Sequence, residues 1–264
     1  MIRVEGISVT FHRGTPMETK ALRGLDLEVS NGQFVTVIGS NGAGKSTLLN
    51  ALAGEVIPQG GRILIDGQDV TRWPSPRRSG LVARVFQDPL VGTCESLTIE
   101  ENLALAAARG RKRGLKLAIN RHLREEFRAK LRSLGLGLEG RLGDKVGLLS
   151  GGQRQAVSLL MATLSPAQVL LLDEHTAALD PKTAEFVLEL TRKIVSEHRL
   201  TTLMVTHSMR QALDFGDRTV MLHEGQVVLD VEGEARARLD VPDLLAEFAR
   251  LRGQQLADDS LLLD

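Results

Sequence analysis

Residues 39–46 read GSNGAGKS. Gly39, four residues, then Gly44, Lys45 and Ser46 is the spacing of a loop that cradles a polyphosphate. Its glycines let successive backbone N–H groups turn inward around an anion. A helix starting at the loop adds the positive end of its dipole. Lys45 can reach the β- and γ-phosphates, and the Ser46 hydroxyl can sit on Mg²⁺. Without its flanking elements the same stretch is a glycine-rich turn that binds nothing. A second group is VLLLDE, residues 169–174. Four apolar residues end in two acids at the mouth of a buried strand. Asp173 is suited to hold Mg²⁺, directly or through a water, and Glu174 to polarise an attacking water as general base. Two N-capping acids at a strand-to-helix turn have the same pattern. The third group is LLSGGQRQA, residues 148–156. Ser150, Gly151 and Gly152 form a helix N-terminus open to an anion, with Arg154 close behind. That is a second phosphate-binding end in a chain with one phosphate loop. Two copies facing head to tail would use both.

The elements around these groups follow from hydrophobic patterning. FVTVIG (34–39) is a continuous apolar run, as expected of a strand buried on both faces. STLLNALAG (46–54) follows as a helix with Gly54 as its stop. IRVEGISVTF (2–11) and ALRGLDLEV (21–29) alternate and read as a small antiparallel layer. GRILIDG (61–67), LVARVF (81–86), QVLLLDE (168–174) and TTLMVTH (201–207) read as further strands. Residues 96–135 turn helical, with Ser96 or Thr98 ahead of Glu100 and Glu101 as the start. PKTAEFVLELTRKIVSEH (181–198) is an amphipathic helix with Pro181 in its first turn. RTVMLHEGQVVLDV (218–231) reads as a hairpin turning at EG, and 241–253 as a last helix. Strand–helix alternation around continuous apolar strands predicts an α/β fold with a parallel sheet core. The helical block at about 90–165 reads as a subdomain inserted into it. The domain is expected to span 1–253, with 254–264 a loose tail.

The 264 residues carry 33 Lys plus Arg and 33 Asp plus Glu. A general nucleic-acid binder shows a basic excess, and there is none overall. The single cysteine, Cys94, permits no internal disulfide, which fits a reducing compartment. No apolar run approaches the ~18 residues of a membrane helix, and the first residues lack a signal-peptide pattern. The chain is expected to be soluble and cytosolic, with docking onto a membrane protein left open. Residues 109–132 hold ten Lys/Arg against two Glu, with Phe127 as their one aromatic. The reading is a solvated helical face, near anionic lipid head groups or a permease.

With these motifs in this order, the sequence resembles the ATP-binding subunits of ABC transporters over about residues 2–252. LSGGQ (149–153) is that family's signature motif. The resemblance implies a P-loop NTPase fold of ABC-ATPase type: a mixed sheet core, an antiparallel β layer and an inserted helical subdomain. It implies that Gly39, Ser40, Asn41, Gly42, Ala43, Gly44, Lys45, Ser46 and Thr47 surround the phosphates of ATP. Phe11 falls where an aromatic stacks on adenine, though a core role at a strand end fits it too. Gln87 in VFQDP matches the Q-loop glutamine, a contact of Mg²⁺ and the lytic water. Asp180 closes the D-loop match AALD (177–180). His207 in VTHS matches the switch histidine that clamps the γ-phosphate and orients Glu174. Ser46, Gln87 and Asp173 are then the Mg²⁺ ligands. Lys45, Gln87, Glu174 and His207 are the catalytic set. In the family each ATP lies between one copy's phosphate loop and Ser150, Gly151, Gly152 and Gln153 of the other.

One departure stands out. The family carries proline after the catalytic glutamate, and this chain has His175. Either it is a tolerated substitution, or an imidazole there tunes Glu174 or touches the D-loop. The expected partners are a second copy, a separate membrane permease and an extracytoplasmic binding protein, with no nucleic acid. The expected place is the cytoplasmic face of the cell membrane. RVFQDPLVGTCESLTIEENLALA and LLLDEHTAALDPKTAE resemble a bacterial group encoded with a permease and a lipoprotein, linked to uptake of small solutes including aromatic amino acids. The alternatives are an exporter or lipoprotein-release subunit, and a soluble ABC-type ATPase. The coiled-coil or zinc insertions of DNA-repair members and the paired cassettes of ribosome-acting members are missing from this sequence.

Overall fold

The computed structural model describes residues 1–110, 118–165 and 167–250. Two sheets enclose one helix. The first sheet is antiparallel. It contains β1 (Ile2–Phe11), β2 (Thr19–Val29), β4 (Gly60–Ile65) and the two-residue β5 (Gln68–Asp69), in the order β2-β1-β4-β5. The second holds β3 (Phe34–Gly39), β6 (Val82–Val85), β7 (Val169–Asp173), β8 (Thr201–Val205), β9 (Arg218–His223) and β10 (Gln226–Glu232). Its order is β10-β9-β3-β8-β7-β6, with every pair parallel except the edge hairpin β9–β10. That hairpin turns at Glu224 and Gly225, both with positive φ, as a two-residue turn requires. The helix α1 (Lys45–Ala53) lies between the sheets, and Gly54 ends it in the left-handed conformation.

The period of two sends alternate side chains of each central strand into different cores. Val35 and Val37 of β3, Leu171 of β7, and Leu203 and Val205 of β8 face α1 and the antiparallel sheet. Leu48, Leu49 and Leu52 of α1 meet them there, opposite Ile2, Val4, Ile7 and Val9 of β1. Leu170 and Leu172 of β7 and Met204 of β8 point the other way, into a core shared with the helices. Continuous apolar runs are the sequence consequence of this two-sided burial.

The helical region between β6 and β7 holds α3 (Ile99–Ala107), α4 (Arg121–Arg132) and α5 (Gly151–Thr163), after a short α2 (Ser75–Arg78) that precedes β6. Thr98, not Ser96, starts α3: its side chain accepts from the Glu101 N–H, while Glu101 reaches back to the Thr98 N–H. The helical pattern expected over 96–135 holds two helices, α3 and α4, with part of the basic run, 111–117, outside the described residues. Phe127 and Leu131 of α4 are fully buried beside Leu103 and Leu138. The aromatic of the basic run is therefore a core residue, and Arg121, Arg124, Arg128 and Arg132 of α4 lie on its exposed side. The α6 helix (Pro181–His198) covers the same core. Further on lie α7 (Met209–Asp214), α8 (Gly233–Ala237) and α9 (241–250). The tail 254–264 lies outside the described residues. β5, α2, α7 and α8 were not expected. At two to six residues each, they are too short to show a period.

Phe127 fills this core with no exposed surface. Phe127→Ala should cost about 3–5 kcal/mol. Urea denaturation followed by circular dichroism should show a lower midpoint; an unchanged midpoint would contradict this account of how α4 is held.

Candidate functional site

The carboxyl ends of β3, β8 and β7 lie side by side. Their register pairs Val37 with Val205 and Val205 with Asp173. Chain segments leaving these ends carry the phosphate loop, His207 and the acids, which is where α/β sheets place ligands. Lys45 is buried and donates to the carbonyls of Gly39 at 2.8 Å and Ser40 at 3.0 Å. Burial holds its ammonium below the usual lysine pKa, against the opposing pull of Glu174 and then Asp173. Gly44 has φ 100°, and a Cβ there would lie 2.6 Å from the Ala21 carbonyl and 2.9 Å from Leu22 Cδ2. No other residue fits this joint between loop and β2. No side chain caps α1, so its first N–H groups stay available to an anion. Asn41, Gly42 and Ser46 are exposed, Ser40 and Thr47 half-buried, and Ala43 buried, with its carbonyl accepting from the Gly225 N–H at 3.0 Å.

Glu174 leaves β7 in the left-handed conformation, φ 46°, unusual for a residue with a side chain. Its N–H donates to the Val205 carbonyl at 3.0 Å, which fastens the turn to β8. Strain at such a position persists because its surroundings over-determine it. Glu174 Oε1 stands 2.6 Å from His207 Nε2, with the carboxylate mostly buried and the imidazole half exposed. The loop carrying His207 is pinned on both sides. Thr206 N–H donates to the Val37 carbonyl at 3.2 Å, and Thr206 Oγ1 donates to Gln211 Oε1 at 2.8 Å. Ser208 caps α7 by accepting from Gln211 N–H. A cavity of 170 Å³ lies against Glu174, His175 and His207.

Asp173 sits at the end of β7 and accepts from Arg84 at 2.6 Å. Gln87 is exposed just beyond the end of β6, the strand whose Val85 pairs with Leu172. Its peptide neighbour Phe86 offers its carbonyl to Gln155 of α5 at 3.2 Å. Phe11 ends β1 with 37% of its surface exposed. It pairs with Thr19, two residues before the Ala21 against which Gly44 packs. An aromatic face there is open to a planar ligand. Ser46, Asp173 and Gln87 offer hydroxyl, carboxylate and amide oxygens, the hard donors that Mg²⁺ takes.

The second phosphate-binding end stands apart. Ser150 caps α5 in a reciprocal box with Gln153: each side chain accepts from the other's backbone N–H, at 3.3 and 3.2 Å. Gly152 packs on α6 so closely that a Cβ would lie 2.2 Å from Thr183 Cγ2. Gly151 and Ser150 remain exposed. Among the described residues, no hydrogen bond or ion pair joins 150–154 to 39–47. Arg154 does not point outward as an anion contact. It donates to the carbonyls of Val146, Gly147 and Leu149 and so braces the approach to the motif. Asp180 caps α6 by accepting from Thr183 N–H at 3.2 Å, and hydrogen bonds from Thr183 hold its carboxyl below the usual range.

The family described as ABC transporter matches residues 22–177. The tyrosine transport ATP-binding protein of Clostridioides difficile is 45% identical over 248 residues, 94% of this chain and 98% of that protein. The chain belongs to the ABC transporter family. It is an ATP-binding, ATP-hydrolysing subunit of that family's type. The thiamine import ATP-binding protein ThiQ of Salmonella choleraesuis is 37% identical over 201 residues, 76% of this chain and 80% of that one. Among solved structures, a dimeric ATP-binding cassette in a post-hydrolysis state bound to ADP and Pi matches with a TM-score of 0.75. Its identity is 29%, over 88% of this chain and 98% of that one.

Two features of this ABC subunit escaped the sequence reading. Arg84 was passed over, although a lone arginine inside the apolar run LVARVF is a buried-cation signal. The role of His175 was left open between two readings. The imidazole is buried against α6, and Nε2 lies 3.0 Å from Thr191 Oγ1. Thr191 gives its own proton to the Val187 carbonyl, so Nε2 is the donor. Burial lowers its pKa to about 4. Between about pH 4 and 6.5 the unfolded chain then binds more protons than the folded one, so stability rises with pH there and falls on acidification. The loss from this group should approach about 3 kcal/mol at the acid end. Thermal melts from pH 7 to 4.5 should show His175→Gln with a flatter decline than the wild type; parallel curves would remove His175 as the cause.

Proposed function

We propose that two copies of this chain close head to tail around two MgATP and power uptake of a small solute through a separate membrane permease. The observation that carries this is the 2.6 Å pair of Glu174 and His207 beside the Lys45 loop, in a chain whose own signature end lies elsewhere. The loop N–H groups and Lys45 bind the β- and γ-phosphates, and Phe11 stacks on the adenine. Glu174 orients a water for in-line attack on the γ-phosphorus and takes its proton. His207 holds the Glu174 carboxylate in place and contacts the γ-phosphate. Ser150 and the Gly151 and Gly152 N–H groups of the second copy complete the charge stabilisation, with Gln153 and Asp180 beside them. Mg²⁺, held by Ser46, Asp173 and Gln87, neutralises charge on the phosphates when bound. Hydrolysis removes the ligand that joins the copies, and they reopen.

Residues 1–253 are one ATPase domain by this reading, with the helical block at about 90–165 and Gln87 passing the motion to the permease. No helix among the described residues is long and apolar enough to cross a membrane. Attachment at the cytoplasmic face therefore comes through the permease. The thiamine import relative supports import, and the tyrosine transport relative supports an aromatic amino acid as cargo; an extracytoplasmic binding protein would deliver it.

Glu174→Gln should keep ATP binding and cut turnover by ~10²–10⁴. Phosphate release paired with fluorescent-nucleotide titration reads both; a wild-type rate would sink the assignment. For the isolated wild-type chain, ATPase rate per subunit should rise with protein concentration until dimers saturate. A rate that stays flat on dilution to nanomolar protein counts against a shared site. Deleting the chain in its host should abolish uptake of labelled tyrosine or tryptophan. Undiminished uptake of both would exclude that cargo.

A further inference from the structure

We propose that Arg84 is a positioning residue for the metal ligand Asp173. The inference rests on Asp173 serving Mg²⁺ as proposed above. Arg84 lies in β6 and its side chain is only 10% exposed. Its guanidinium joins three elements. Nη2 donates to Asp173 Oδ2 at 2.6 Å, and Nη1 donates to Asn50 Oδ1 at 2.7 Å and Glu55 Oε2 at 2.8 Å. Asn50 lies on α1, the helix that starts at the phosphate loop, and Glu55 follows directly after it. The carboxylate at the end of β7 is thereby tied to that helix through one rigid fork.

Two further observations argue that the fork is held for Asp173. Nε of Arg84 is buried without a hydrogen-bond partner, so the side chain forgoes one bond to keep Nη1 and Nη2 on these oxygens. The guanidinium also lies over the Phe86 ring, 4.7 Å from its centre, and the Phe86 carbonyl is held by Gln155 of α5. Among the described residues only Arg84 donates to Asp173, and it takes Oδ2 alone. Oδ1 is left to the ion. A partner on the far oxygen orients a metal-binding carboxylate, and losing such a partner typically weakens metal affinity 10–100-fold. Simple charge repulsion predicts the opposite sign, since removing a cation from beside a metal site would tighten it. Lysine keeps the charge but cannot reach Asp173, Asn50 and Glu55 in one plane.

The test loads the full chain with a non-hydrolysable ATP analogue and titrates Mn²⁺, read by electron paramagnetic resonance. Analogue binding in EDTA is measured alongside. For Arg84→Met and Arg84→Lys we expect Mn²⁺ affinity to fall by about tenfold or more, with metal-free analogue binding within about twofold of wild type and the half-saturating Mg²⁺ for ATPase activity raised in step. Mn²⁺ affinity unchanged or tighter in both variants overturns the proposal, as does an equal loss of metal-free binding, which marks a general folding role. Asp173→Asn is the reference. If it loses Mn²⁺ while the Arg84 variants do not, Arg84 alone has been misread. If it keeps Mn²⁺, the assignment of Asp173 fails as well.

Discussion

Burial of β3, β8 and β7 on both faces is the constraint on which everything else depends. A strand packed between two cores cannot carry an unpaired polar side chain along its length, because burying one costs several kcal/mol. Chemistry is therefore confined to the strand ends. Parallel pairing puts the three carboxyl ends on one edge, and register sets them level. Gly39, Asp173 and Val205 are the last strand residues, and the phosphate loop, Glu174 and His207 follow within two positions. Neutral packing of Val35, Leu171 and Leu203 around Leu48 and Leu52 thus fixes the positions of charged groups it never touches.

That same constraint decided what could be read from sequence. FVTVIG and VLLLDE announce themselves because two-sided burial leaves a run of apolar residues that stops abruptly at a glycine or an acid. The start of α3 was legible to within two residues, as Ser96 or Thr98, because a capping box is a local exchange between two side chains and two N–H groups; the structure places it at Thr98 and Glu101. The left-handed backbone of Glu174 was not legible, since it depends on the Val205 carbonyl thirty-one residues away. Arg154 looked like an anion contact by proximity, yet its fork goes to three carbonyls of the preceding turn, a choice made by tertiary geometry. His175 shows the same gap. Its place after Glu174 fits either a tolerated substitution or a tuning role, and only the fold shows that its side chain packs on Thr191 of α6.

Cations in this molecule divide by burial. Arg128 and Arg192 sit in ion pairs open to water, with Glu125 and Glu189, and contribute little to stability. Arg78 and Arg84 are different, since each is taken out of water and spends its donors on fixed oxygens. Arg78, fully buried, donates to the carbonyls of Ala51, Leu52 and Thr71 and so holds the C-terminal end of α1. Arg84 reaches Asn50, the residue before Ala51, with the fork whose other arm holds Asp173. The helix that presents Lys45 and Ser46 at one end is therefore clamped at the other by Arg78. A phosphate site made of backbone N–H groups works only if those groups stay aligned, and a nine-residue helix is too short to keep its own position in water.

The signature end obeys a different logic. Ser150 and Gln153 already satisfy each other's N–H groups, so α5 does not need an anion to be stable. Gly152, pressed on Thr183, fixes α5 against α6, whose own cap is Asp180. These two helix starts form an exposed surface with N–H groups and a dipole end, while the Arg154 side chain is engaged with the carbonyls of the preceding turn. Such a surface binds ATP weakly by itself. Laid over the γ-phosphate of an ATP already held by a Lys45 loop, it adds donors where charge develops during transfer. In the proposed dimer, affinity and rate are divided between two surfaces of one chain that do not meet within it, which would make assembly a condition of catalysis.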